Sequence, residues 1–184
     1  MILVPIAVAA LVFLTGFGVG AAALRPIARR APIPEGAFLL FSLGLGLGLL
    51  AHGALLLGLT GAARWSGMAP TLALLAAIPA FGRPLVSGAR ARLRAAFEPT
   101  DGVTLFLRAL VAVAGLVTFA AALTPPTEYD VLEYHLAGPM RWLRTGAVGL
   151  FPGNVYANMP GETEMLYMAA IAAARPLAPA MALH

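Results

Sequence analysis

The chain has 184 residues, 60% of them hydrophobic and only 11% charged, with a mean hydropathy of +0.87. A soluble domain carries about 25% charged and 45–50% apolar residues, so this balance excludes a soluble enzyme, a disordered segment and a nucleic-acid binder, and reads as an integral membrane protein. All 12 basic residues are arginines. The pI near 10.3 therefore reflects arginines expected in loops between spans, and it requires no acidic partner. Cysteine is absent, which excludes disulfides, thiolate metal sites and cysteine nucleophiles.

A helix crossing the hydrocarbon needs about 20 largely apolar residues. Such stretches fall at 2–24, 36–61, 68–86, 103–124 and 162–182. The predicted fold class is all-α: a polytopic membrane protein of about five transmembrane helices, with four as the alternative count. In the first, Ala21-Ala22-Ala23 resembles a signal-peptidase site. No basic region precedes the apolar run, however, and the arginines follow it, which favours a retained span with its N-terminus outside. In the second, Gly44-Leu45-Gly46-Leu47-Gly48 has glycines at nucleotide-loop spacing. It lies inside an apolar helix with no preceding strand, where small residues let helices approach closely. His52, in the same span, reads as a packing or interfacial residue. The third has its strongly apolar part only from Met68 to Phe81, and relies on Arg83 snorkelling to the interface. Arg108 in the fourth is expected to snorkel in the same way. The fifth contains Arg175, Pro176 and Pro179 and is expected to end or kink early.

Arginine placement sets direction, because short cytoplasmic loops are enriched in basic residues. Segments 25–35 and 83–102 hold seven arginines in 31 residues, while 62–67 and 125–160 hold three in 42. The first pair is expected to face the cytoplasm, and 125–160 the outside. The domain organisation is then a four-helix transmembrane region over 1–124, an extracytoplasmic loop over 125–161 and a fifth span over 162–184.

That loop carries the chemistry. Five of the eight acidic residues lie between 128 and 164: Glu128, Asp130, Glu133, Glu162 and Glu164. Tyr129, Tyr134, His135, Trp142, Tyr156 and Tyr167 share the stretch. On a wheel of 100° per residue, Glu133, Tyr134, Arg141 and Arg144 fall within about 60° of Asp130. Leu132, Leu136, Met140 and Leu143 cluster opposite, with His135 and Trp142 at the flank. This is the pattern of an amphipathic helix lying on a membrane surface, which Gly138-Pro139 should kink or divide. A regular helix places His135 about 140° from Asp130 and about 160° from Glu133, which disfavours a single Asp-x-x-Glu-x-His metal cluster. A divalent metal held by Asp130 with ligands from elsewhere stays open. Asp-x-x-Glu before an apolar-periodic run is also a capping-box-like helix start, with Asp130 capping and Glu133 reaching back.

The stretch from Thr124 to Ala169, with Tyr129-Asp130, Tyr134-His135 and the turn Asn154 to Pro160 in that order, resembles the first extracytoplasmic loop of the GT-C superfamily of lipid-carrier-dependent membrane glycosyltransferases. That superfamily includes the protein O-mannosyltransferases and the aminoarabinose transferases of lipid A. The resemblance implies the N-terminal part of a GT-C fold, in a bacterial cytoplasmic (inner) membrane. It implies transfer of a sugar from a polyprenyl-phosphate carrier to a lipid, glycan or protein acceptor outside that membrane, with Asp130 as general base. Glu133, Tyr134 and His135 are expected to orient Asp130 or contact the sugar. Arg141 and Arg144 are expected to neutralise the leaving phosphate or to hold anionic headgroups of membrane lipids. Asn158 and Glu164 are expected to shape the acceptor side, or to form a turn and to place charge at a helix N-terminus. Family members are several hundred residues long, so the chain is expected to be an N-terminal fragment, inactive alone, with a degenerate, inactive relative as the alternative. The competing reading is a membrane scaffold or transporter subunit whose loop helix binds a partner or lipid. Against transport, nearly all charges sit at span ends or in loops.

Overall fold

The computed structural model describes residues 3–31, 33–64, 101–122, 129–158 and 161–177. Among them every regular element is helical: α1 (Leu3–Ala28), α2 (Glu35–Leu59), α3 (Gly102–Ala122), a π turn (Val131–His135), α4 (Ala137–Thr145), a 3-10 turn (Tyr156–Asn158) and α5 (Glu162–Leu177). Two helices are long and apolar enough to cross a membrane, over Ile6–Ala28 and Gly36–Leu59. The expected span at 68–86 lies outside the described residues. So do residues 178–182 of the expected fifth span.

The chain forms two compact units, one of Met1–Gly82 with Thr127–His184 and the other of Arg83–Pro126. In the first, α2 packs against both α1 and α5, and α4 lies on α5. Absent side chains set the α1–α2 approach. A Cβ at Gly20 would overlap the Ser42 carbonyl oxygen, and one at Gly46 would overlap the Gly16 carbonyl. Gly44 and Gly48 meet nothing within 4 Å, so Gly46 alone of the glycine run makes the close crossing. Ser42 is fully buried there, and its hydroxyl has no hydrogen-bond partner among the described residues. Its small size, rather than its polarity, is what the crossing uses.

The far end of α2 packs with α4 and α5 through Ala51, Ala54, Trp142, Leu143, Met165, Met168, Ala169 and Ala172. Alanines on α2 and α5 leave space that Leu143 and Met168, both fully buried, fill. Two backbone bonds tie the loop to the α2 terminus: Val148 N–H donates to Gly58 O (3.0 Å) and Ala63 N–H to Gly146 O (3.0 Å). α4 closes on Gly146, whose φ of 84° is the left-handed cap that glycine adopts without steric cost. In the second unit, α3 starts where Asp101 accepts from the Thr104 N–H (2.9 Å) and hydroxyl (2.6 Å), an N-cap that satisfies an otherwise orphaned donor.

Gly46→Leu should force α1 and α2 apart at a cost of about 1–3 kcal/mol, whereas Ser42→Ala should leave stability unchanged because no hydrogen bond is lost. Thermal unfolding in detergent micelles checks both, and equal midpoints for the two variants would contradict this account of the crossing.

Candidate functional site

Asp130 enters the site at the start of the π turn, where Leu136 N–H donates to Val131 O (2.9 Å) across five residues. A π turn carries one more residue than an α-helical turn closing on the same hydrogen-bonded face. Everything after it is rotated relative to a continuous wheel. This shifts the division of the amphipathic helix, which the sequence placed at Gly138-Pro139. The chain divides at Leu136, and Pro139 sits in the first turn of α4, where a missing N–H costs no helical bond. Leu132, Leu136 and Met140 share one groove with Arg141, Arg144 and Phe151, instead of lying opposite the arginines. Leu143 and Trp142 turn into the core.

The capping-box reading also fails. Asp130 has helical dihedrals (φ −60°, ψ −41°) and makes no side-chain cap bond. Its carboxylate faces Tyr134, and the Tyr134 phenol is raised above its usual pKa of 10.0. Partial burial is the largest cause, followed by the charge of Asp130 and a hydrogen bond to it. The Tyr129 phenol is raised as well, first by its hydrogen bond to Glu133 and then by that carboxylate's charge.

His135 reaches across to α5, where its Nδ1 pairs with the Glu164 carboxylate. Glu164 lies in the first turn of α5, so it also meets the positive end of that helix. Gly161, one turn-start earlier, leaves the space its side chain occupies. The His135 ring lies 4.2 Å from Tyr134 and 6.4 Å, edge-on, from Tyr167. Tyr134 stacks on Tyr156 at 5.6 Å with a 29° interplanar angle. All four tyrosines of the chain thus meet around Asp130, Glu133, His135 and Glu164. Tyr129 stood next to Asp130 in the sequence, whereas Tyr156 and Tyr167 were visible only as loop composition, because a stack between residues 22 apart depends on how the loop folds back.

Asn154 organises that return. Its amide donates to Glu133 O (3.1 Å) and its carbonyl accepts from Ala157 N–H (3.0 Å). Asn158 is committed to the same fold: its Oδ1 accepts from Phe151 N–H (2.7 Å), and its amide donates to the Phe151 (3.0 Å) and Asn154 (2.7 Å) carbonyls. These bonds close the turn, one of the two roles its place in the sequence suggested. Arg141 lies 4.6 Å over the Phe151 ring, a cation–π contact that holds it at the groove, and Arg144 is exposed beside it. The structure brings together Asp130, Glu133, Tyr134, His135 and Glu164, and places Arg141, Arg144 and Asn158 elsewhere on the loop. Among the described residues no three His, Asp or Glu side chains converge as metal ligands, so a metal on Asp130 would need partners from outside them.

A phenol raised in the folded state stabilises the fold fully below the unfolded pKa, and that stabilisation is lost as pH rises through the folded value. Asp130→Asn removes one of its causes, so the Tyr134 phenol should ionise at lower pH in the variant. Near-ultraviolet phenolate absorbance measures this, and an unchanged titration would show that Asp130 does not face Tyr134. No protein-family model, no characterised protein and no solved structure matches this chain.

Proposed function

We propose that this chain is the N-terminal portion of a polytopic membrane glycosyltransferase, in which Asp130 accepts the proton of an extracytoplasmic acceptor hydroxyl. The observation that carries the reading is the setting of Asp130: an exposed carboxylate beside the Tyr134 phenol, at the edge of a cluster holding every tyrosine of the chain. Aromatic faces flanked by carboxylates and amides suit a sugar, whose C–H face is apolar and whose hydroxyls need hydrogen-bond partners. The ordered elements Tyr129-Asp130, Tyr134-His135 and Asn154 to Pro160, which resemble the GT-C loop, supply the reaction class.

In this reading the acceptor oxygen attacks the sugar's anomeric carbon while its proton passes to the Asp130 carboxylate. The bond from that carbon to the carrier phosphate breaks, and the phosphate leaves with the electron pair. A phosphate is already a stable anion, so the paired acid of a glycosidase is dispensable. Glu133 and Tyr134 position Asp130, while the His135–Glu164 pair fixes the turn that presents it. Arg141 and Arg144 supply two cations along a groove whose floor is Leu132, Leu136, Met140 and Phe151, a combination suited to a lipid-borne phosphate or an anionic headgroup. The excess of arginines at 25–35 and 83–102 over 62–67 and 125–160 supports an extracytoplasmic loop, and the inner-membrane setting comes with the resemblance.

Asp130→Asn should lower sugar transfer by about 10²–10⁴-fold while membrane insertion and the unfolding midpoint stay unchanged. Transfer is read with a labelled lipid-linked sugar in membranes carrying the whole gene product. Undiminished turnover refutes the assignment of Asp130 as base.

A further inference from the structure

Glu162 lies two residues before Glu164, about 200° around α5, and meets a different partner. Its carboxylate is 3.5 Å from Nδ1 of His52 on α2. The pair stands at the mouth of a cavity of about 450 Å³ walled by Leu55, Leu59, Trp142 and Met165, within the range of small-molecule sites. Apolar surface continues outward from the rim, where Leu59 is 64% and Leu150 83% exposed.

The hydrogen bonding at the mouth defines the chemistry it accepts. His52 Nδ1 lies 2.8 Å from the Gly48 carbonyl, which can only accept, so the hydrogen is on Nδ1, and in that tautomer Nε2 is the ring's acceptor. The Glu162 carboxylate is an acceptor as well. Among the described residues no arginine lines the cavity, in contrast to the groove holding Arg141 and Arg144. A phosphate or carboxylate head would meet the Glu162 charge with no cation to offset it. A head that donates hydrogen bonds finds two acceptors waiting. The apolar walls call for a hydrocarbon chain behind that head.

We propose that this cavity binds a single-chain amphiphile with a hydrogen-bond-donating, non-anionic head, a long-chain amine or alcohol, its tail among Leu55, Leu59, Trp142 and Met165 and its head at the His52–Glu162 pair. The proposal rests on the membrane reading above, and adds to it a second amphiphile site on a different face of the loop from Asp130. Two neighbouring sites then sort amphiphiles by charge, anionic ones to the arginine groove and donors to the acidic cavity.

Trp142 in the wall is a built-in reporter, and Trp65 is the chain's other tryptophan. The detergent-solubilised Trp65→Phe protein is titrated with bromine-tagged hexadecylamine, hexadecanol and hexadecyl phosphate, and indole quenching is followed. The amine and alcohol should quench saturably, at about tenfold lower concentration than the phosphate. Glu162→Gln should erase most of that preference, and Glu162→Lys should invert it towards the phosphate. Quenching that does not saturate, equal titrations for the three heads, or indifference to both Glu162 variants overturns the proposal. If the Trp65 variant does not fold, a diazirine-bearing long-chain amine on the unsubstituted protein gives the same decision: labelling of 52–59 and 162–165 supports the site, and labelling only elsewhere overturns it. Asp130→Asn should leave amine binding unchanged, so failure of the transfer reading and failure of this site give different results.

Discussion

The contact between His135 and Glu164 ties the loop to α5, and the geometry of the candidate site follows from it. His135 is the last residue of the π turn, and the pairing holds that turn against the first turn of the helix. From there the wide turn directs Tyr134 towards Asp130 on one side and onto Tyr156 on the other. A charge-assisted hydrogen bond that is partly buried contributes more than an exposed ion pair, and here the Glu164 side chain is only 14% exposed. Below it, Leu143 and Trp142 anchor the next helix in the core, so the turn is fixed at both ends.

This arrangement separates the loop's functions by face. The carboxylates and tyrosines gather where the π turn meets α5, the arginines border an apolar groove on α4, and His52 with Glu162 closes a cavity against α2. The two glutamates of a single helical turn serve two of these places because successive residues of a helix point in different directions. On the proposed reading, one loop braced on two apolar helices thereby presents a base, a cationic lipid-facing groove and an acidic amphiphile site.

Much of the framework was readable from the sequence. Runs of apolar residues marked α1 and α2 to within a few residues, whereas the division expected at Gly138-Pro139 falls earlier, at Leu136. The loop's acids and aromatics stood out by density in a chain of which only 11% is charged. What could not be read was the π turn, since nothing in Val-Leu-Glu-Tyr-His announces an extra residue per turn. That one residue rotates α4 relative to Asp130, while Leu136, Met140 and Arg144 line up along one side of α4 by their four-residue spacing alone. Pairings across long separations were equally silent: His135 with Glu164, Tyr134 with Tyr156, and His52 with Glu162 depend on how α2, the loop and α5 assemble. Asn158 could be read from the sequence either as shaping the acceptor side or as forming a turn, and its hydrogen bonds to Phe151 and Asn154 show how it serves the turn.

The proposed chemistry requires the Asp130 oxygen to stand in water on the outer side of the bilayer. The chain contains no cysteine, so Asp130→Cys introduces a single thiol without background. Treating intact cells with a membrane-impermeant maleimide tests the requirement directly. The account predicts full labelling before permeabilisation; labelling that appears only after the membrane is opened would place Asp130 inside and contradict it.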